Sequence, residues 1–304
     1  MTDLIPIKKS HIFFYNQFPL YYISDSGEPV LYKKAGKKLD MDKLENNLYP
    51  RFFIRKEDED LVYKKLLSVL NMRLAEAISS KGVKAVKACL CQVIQEALEA
   101  PLESSLEKIP ETIEIFFFGA KKNDELLDAL ASINNHSPKI IDHSVNVLTI
   151  AIQYCFYKKY PDEKIKRFGL CALLHDLGFR RLDKRLVETD EYLTDEEFVI
   201  YKIHTVTGYK DMQSYTSFDK SVALTALEHH ERLDGSGYPH GRKNISFEAQ
   251  VIGIIDSYEP LRYRNKNFRK ALLPYEALEI LKKDVLHGKY NKQVFVDLCS
   301  CLVK

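Results

Sequence analysis

Two dipeptides place metal-ligating side chains side by side. His175-Asp176 closes the apolar run in "ALLHDLGFRR", and His229-His230 precedes "ERLDGSGYPHGRKN". Each falls where a predicted helix ends, and from adjacent positions at a helix terminus both side chains can reach one centre. His143 and His204 sit on further predicted helices and could converge on the same place. Any one of the nine histidines, taken singly, reads as an ordinary core or surface residue; the two adjacent pairs weaken that reading. Asp256 joins the set because "VIGIIDSYEPL" is an apolar helix, in which a lone carboxylate is costly to bury unless it meets a cation. Imidazoles and carboxylates without a thiolate suit iron, manganese, zinc or nickel better than an iron–sulfur cluster. Five histidines and two aspartates exceed one coordination sphere. Two ions sharing Asp176 would use them all and leave positions for a bridging water. Such a pair, about 3.5–4 Å apart, is the arrangement that drives in-line attack on phosphorus.

The strings "HSVNV", "LLHDLG", "IHTVTGYKDM", "HHERLDGSGYP" and "IIDSYEPL" occur in the order and spacing of the HD-GYP family, a branch of the HD superfamily of metal-dependent phosphohydrolases. The match covers about Lys139 to Pro274. What this resemblance implies is specific. His143, His175 and Asp256 would hold one metal and His204, His229 and His230 the other, with Asp176 bridging them and orienting a metal-bound hydroxide. Two transition-metal ions are implied, iron in the first place and manganese as the alternative. The implied activity is hydrolysis of cyclic di-GMP, or a related cyclic dinucleotide, to the linear dinucleotide pGpG or to GMP. The loop with Asp234, Gly235, Gly237, Tyr238 and Pro239 is intact, and the family links it to docking of a diguanylate cyclase of the GGDEF type.

The departures from the family pattern carry as much meaning. Some members have a glutamate four residues before the first histidine, as a ligand for a third metal; this chain has Lys139, which favours a binuclear site. The family's HDxGK lysine contacts the substrate phosphate, and here that position is Phe179. Losing one preorganised donor costs roughly 10²- to 10³-fold in rate, unless Arg180, Arg181 or Lys184 substitutes. After Asp256 the chain reads Glu259-Pro260 and then "RYRNKNFR", where Phe268 and Arg269 align with the family's Tyr-Arg and Arg262 and Arg264 are additional cations. The reading is therefore a metal-dependent cyclic di-GMP phosphodiesterase of weak activity. The alternative is a catalytically silent signalling module that binds the dinucleotide or a partner with the same metal site. Another HD-type phosphohydrolase acting on a nucleotide is disfavoured by the intact DGSGYP string.

The elements that must position these residues are mostly helices. From Pro138 onward helix follows helix: one from Ser137 and Pro138, one from Pro161 to Leu177 with Gly178 at C′, and one opened by a Thr194/Glu197 capping box. Others cover about Asp219–His230, Ser246–Arg262, Pro274–Leu286 and Asn291–Leu302. Before residue 57 the chain reads as strands and turns, with "IFFYNQFPLYYIS", "PVLYKK" and "RFFI" as strands and a short helix over Asp42–Leu48. Helices are predicted from Glu57 to about Ser80, over Val83–Ala100 and over Leu102–Ile133. The expected class is mainly α: an N-terminal α+β regulatory or docking domain over 1–136 and an all-α HD-type domain over 137–304. Lys and Arg number 45 against 43 Asp and Glu, so no basic excess points to nucleic acid. No apolar run of about 18 residues points to a membrane span, and no signal-peptide pattern opens the chain. A cytoplasmic protein with six reduced core cysteines is expected.

Overall fold

The computed structural model describes residues 3–8, 11, 16–37, 51–123, 125–133, 139–215, 218–265 and 270–302. The fold is mainly α, with one small sheet at its N-terminal end. Strands β1 (Leu4–Ile7), β2 (Leu20–Ile23), β3 (Pro29–Lys33) and β4 (Phe52–Arg55) form an antiparallel sheet in the order β1-β4-β2-β3. Alternation along β4 buries Phe52 and Ile54, and these two pack with Phe18, Leu20 and Val62 in a small core of their own. The predicted helix over Asp42–Leu48 and the start at Ser137 and Pro138 lie outside the described residues, as do Phe268 and Arg269 and the side chain of Lys139.

The helices are α1 (Glu59–Glu76), α2 (Val83–Glu99), α3 (Leu102–Lys122), α4 (Leu126–Ser132), α5 (Lys139–Tyr157), α6 (Asp162–Leu174), α7 (Lys184–Glu188), α8 (Asp195–Gln213), α9 (Lys220–Glu228), α10 (Phe247–Tyr263), α11 (Pro274–Leu286) and α12 (Lys292–Leu302). The single helix predicted over Leu102–Ile133 is two helices. Asn123 takes an extended backbone at the end of α3, and its Oδ1 accepts from the Glu125 amide, so the side chain supplies the turn that separates them. The Thr194/Glu197 capping box is present, and Pro274 opens α11.

One correction bears on the site. α6 stops at Leu174, three residues before its predicted end, and Leu177–Arg181 forms a 3₁₀ turn. Gly178 is not a C′ glycine. A Cβ there would lie 1.9 Å from the His204 carbonyl oxygen, so the missing side chain lets the turn press against α8.

A continuous apolar core runs from Leu66 to Leu298. Helix α5 faces it with Val145, Leu148, Ile152 and Cys155, all buried at helical spacing. α10 is buried around its circumference, with Val251, Ile252, Ile254, Ile255 and Tyr258 inside. These two helices, with the ends of α6 and α9 and the middle of α8, enclose the polar cluster described next. None of the six cysteines is in a disulfide; four are buried and two half-buried. No helix of the described residues is long and apolar enough to cross a membrane.

Candidate metal centre

The structure brings the seven sequence-predicted ligand residues to one place. His143 comes from α5, His175 and Asp176 from the end of α6, His204 from α8, His229 and His230 from the end of α9, and Asp256 from α10. Ligand-type atoms of Asp176, His204, His229 and His230 lie within 4.8 Å of one another, and so do those of His143, His175 and Asp176. Asp176 belongs to both groups. Asp256 faces both: Oδ1 is 3.0 Å from His143 Nε2 and 3.7 Å from His175 Nε2, and Oδ2 is 3.6 Å from His230 Nδ1. Except for half-buried His230, all are removed from solvent.

The imidazoles are aimed by what their outer nitrogens touch. Nδ1 of His175 donates to Ala172 O at 2.6 Å, Nδ1 of His204 to Tyr201 O at 2.7 Å, and Nδ1 of His229 to Thr225 O at 3.0 Å. A carbonyl can only accept, so these nitrogens carry the protons and the Nε2 lone pairs point inward. His143 Nδ1 does the same to Glu259 Oε2 at 2.6 Å. Two inward lone pairs, of His143 and His175, then face each other at 3.3 Å. His204 Nε2, His229 Nε2 and Asp176 Oδ1 are buried without a hydrogen-bond partner, although each histidine nitrogen lies 3.3–3.5 Å from that oxygen. Converging buried acceptors with no donor between them are costly in a protein interior. A cation placed among them removes the cost, so the donor set fits metal ions.

The electrostatics divide the site. Burial opposes charge on every group, but in His175 the Asp176 and Asp256 carboxylates outweigh it and hold the imidazolium well above its usual range. The same balance, through Glu259 and Asp256, raises His143. Asp176 and Asp256 are correspondingly held well below the usual carboxylate range by the histidines around them. On the other side burial wins: it pushes His204 down to about 4 and His230 well below its usual value. One half of the centre holds positive charge that a metal ion would supply in place of the ring protons, while the other keeps His204 and His230 neutral and able to ligate.

A cavity of about 250 Å³ opens beside this cluster, with His143, Asp176, His230 and Asp256 on its wall. Of the six cations named from sequence, Arg264 lines it, its Nε 3.7 Å from Glu259 Oε2. Arg180 donates to Ala100 O at 2.6 Å, Arg181 pairs with Asp211, Lys184 is exposed, and Arg262 lies over the Tyr263 ring. Arg269 lies outside the described residues. Phe179 is buried and stacks on His204, with ring centroids 4.0 Å apart. With Ile140 and Val187 it lines both this cavity and a second one of about 350 Å³ that reaches α2.

The loop after His230 folds back over the cluster. Tyr238 stacks on His230 at 4.5 Å, and the Glu231 carboxylate accepts from the His240 and Arg242 amides. A Cβ on Gly237 would lie 2.4 Å from His230 O, so only glycine lets the loop turn this close. Gly235 has φ +87°, and Asp234 Oδ1 accepts from the Ser236 amide and hydroxyl.

Three participants were missed in the sequence. Arg232 lines the cavity and donates to Ser257 Oγ. Glu259 holds His143, and Asn146 donates to Glu259 at 2.7 Å. Glu259 stands in "DSYE", three residues after Asp256 on a helix apolar on all sides. A second buried acid one turn from a ligand was the available signal. Arg232 and Asn146 carry none.

Comparison with known proteins came to the same region. The sequence matches the HD domain family over residues 129–294. It is 35% identical over 160 residues to the cyclic di-GMP phosphodiesterase PdeB of Borreliella burgdorferi, covering 51% of this chain and 40% of that protein. It is 29% identical over 136 residues to the 3'3'-cGAMP-specific phosphodiesterase 1 of Vibrio cholerae, covering 44% of this chain and 31% of that one. The chain thus spans less than half the length of these relatives. Among solved structures, Bd1817, an HDG"Y"P protein from Bdellovibrio bacteriovorus, shares the fold, with a TM-score of 0.65 at 20% identity over 99% of this chain and 100% of that one.

Proposed function

The chain belongs to the HD domain family and carries the motifs of its HD-GYP branch, and on that premise we propose that it is a phosphodiesterase acting on a cyclic dinucleotide, cyclic di-GMP before others. His143, His175 and Asp256 would hold one transition-metal ion and His204, His229 and His230 a second, with Asp176 shared; iron is favoured, with manganese the alternative. The observation that carries the reading is the convergence of Asp176 Oδ1, His204 Nε2 and His229 Nε2, buried and without hydrogen bonds, within a His/Asp cluster that has Asp176 in both of its groups. When bound, such an ion pair supplies Lewis acidity toward a phosphoryl oxygen and an activated water at neutral pH.

The chain's own residues account for the rest. Asp176 presents both carboxylate oxygens to the centre, one toward each group of histidines. Glu259 and the carbonyls of Ala172, Tyr201 and Thr225 keep the imidazole protons outward. Arg232 and Arg264 on the cavity wall can hold a phosphodiester anion by charge-assisted hydrogen bonds. Tyr238, over His230, covers the centre from the loop side. Phe179 supplies no cation where the family has lysine, so turnover is slow. This same stack of Phe179 on His204 favours a second reading, a module that binds the dinucleotide without useful turnover. In either reading the first 136 residues are regulatory or docking, the protein acts in the cytoplasm, and the loop containing Asp234, Gly235, Gly237, Tyr238 and Pro239 docks a GGDEF-type cyclase.

The test uses protein purified without oxygen and loaded with Fe²⁺ or Mn²⁺. Binding of cyclic di-GMP is measured by calorimetry, and formation of pGpG and GMP by chromatography. Slow, metal-dependent product formation supports the enzyme, and binding without product supports the module. A metal-loaded protein that neither binds nor cleaves the dinucleotide overturns both.

A further inference from the structure

Lys87 lies on α2, ahead of the stretch that matches the HD domain family, and its side chain is 1% exposed. A lysine in such a place is costly unless its donors are matched. Nζ donates to Ile133 O and, at 3.1 Å, to Asn146 Oδ1. The Asn146 amide nitrogen then donates to Glu259 Oε1 at 2.7 Å, and Glu259 Oε2 accepts from His143 Nδ1 at 2.6 Å. All four side chains are buried.

The chain has one polarity, set from both ends: Lys87 can only donate to it and the Glu259 carboxylate can only accept from it. An ammonium can only donate, so Asn146 must turn its oxygen toward Nζ and its NH₂ toward Glu259. An ionised carboxylate can only accept, so Glu259 takes one hydrogen bond from Asn146 and another from His143. His143 is thereby left with Nδ1 protonated and its Nε2 lone pair directed at the centre. Without Lys87 the buried Asn146 oxygen loses its donor and only the carboxylate is left to orient the amide; a flipped Asn146 would set its oxygen against Glu259 Oε1. We propose that Lys87 is a positioning residue that, through Asn146 and Glu259, fixes the tautomer and aim of His143 from outside the region that supplies the ligands. This rests on the metal-centre reading above. It gives α2 a direct means of loosening or tightening one half of the site.

The experiment measures Mn²⁺ affinity of the full chain by competition with a chelating dye, together with thermal melts of the metal-free proteins. Lys87→Met and Glu259→Gln are each expected to weaken Mn²⁺ binding about 10- to 100-fold, the usual effect of losing a group that orients a ligand. The double variant is expected to bind no more weakly than Glu259→Gln alone, because the two act through one chain. A general loss of packing would instead lower affinity additively. Should Lys87→Met fail to fold, Asn146→Leu breaks the same chain and is expected to show the same loss. Folded Lys87→Met or Asn146→Leu protein that binds Mn²⁺ as tightly as the natural chain overturns the inference, and so does an additive double variant. If the natural protein binds no Mn²⁺, the metal-centre reading itself has failed.

Discussion

Replacing Phe179 by lysine tests the catalytic reading at its most exposed point. Phe179 is 5% exposed and packs against His204 and against Tyr201, whose ring centroid is 4.9 Å away. Burying a phenylalanine contributes about 1.5–3 kcal/mol. A lysine stem along the same wall retains part of that, so Phe179→Lys should lose about 1–2 kcal/mol and melt a few degrees lower. Against this stands the gain of a phosphate-holding ammonium, worth roughly 10²- to 10³-fold in rate for one preorganised donor. The two effects act on different quantities. Turnover per folded, metal-loaded molecule should therefore rise while stability falls. Cyclic di-GMP hydrolysis is followed at saturating Mn²⁺ for the natural protein, Phe179→Lys and Phe179→Leu, with folded fractions from circular dichroism. Phe179→Leu should lose stability without gaining rate. Fast turnover by the natural protein, or no gain in folded Phe179→Lys, would refute the argument that Phe179 removes a needed cation.

Elemental analysis after anaerobic purification should find two transition-metal ions per chain; a ratio near one or near three would contradict a centre built on the shared Asp176. Chelation should lower the melting temperature, since saturation at a hundredfold over Kd contributes about 2.7 kcal/mol, and metal-supplied Asp176→Ala should melt low as well. Gly178→Ala should cost about 3 kcal/mol or more, at the upper end of overpacking, because its Cβ would lie 1.9 Å from a backbone oxygen of α8; a neutral melt would show that the turn yields freely. Acid sensitivity is expected where the sheet end meets α2. Burial pushes the Glu96 carboxyl up, but hydrogen bonds and charge from His11 and Lys8 outweigh it and hold it below its usual range. A depressed carboxyl stabilises the fold above its unfolded value of about 4.3, and that contribution fades as the pH falls through the folded value. Urea titrations of Glu96→Gln should show lower stability at pH 7 and a shallower decline in acid; an unchanged acid limb would contradict the assignment.

The clustered histidines and aspartates were legible because they sit in short strings whose chemistry is unusual for helix ends, and most of the longer helices were legible from apolar period and caps, whereas the short α7 was not. What positions the ligands was far less so. Gly178 looks like a helix stop from its neighbours, and its real constraint, the carbonyl of His204, is 26 residues away in the chain. Asn123 splits a continuous helical pattern through a local side-chain bond that the apolar period does not register. The hydrogen bonds from Lys87 to Asn146 and from Asn146 to Glu259 span 59 and 113 positions. Lys87 and Asn146, read alone, are ordinary polar side chains on helices. The directions of Arg180 and Arg181 were equally closed to sequence. Their partners, Ala100 O and Asp211, are set by how the 3₁₀ turn packs against the end of α2 and against α8.

The neighbourhood of Phe179 bears on what a lysine would meet at that point. His204, against which it stacks, is held neutral down to about pH 4 because burial opposes its charging. An ammonium in the same place would therefore meet no imidazolium, and the Asp176 carboxylate at the far edge of His204 would attract it. Charge thus gives no reason to exclude lysine. Packing gives a reason to prefer phenylalanine: its ring lies against His204 and Tyr201, and with Ile140 and Val187 it lines both the cavity at the metal cluster and the larger one bordered by Leu98 and Glu99 of α2. On the proposed reading, phenylalanine gives up a grip on the substrate phosphate and gains packing beside both cavities, next to α2, the helix that also carries Lys87.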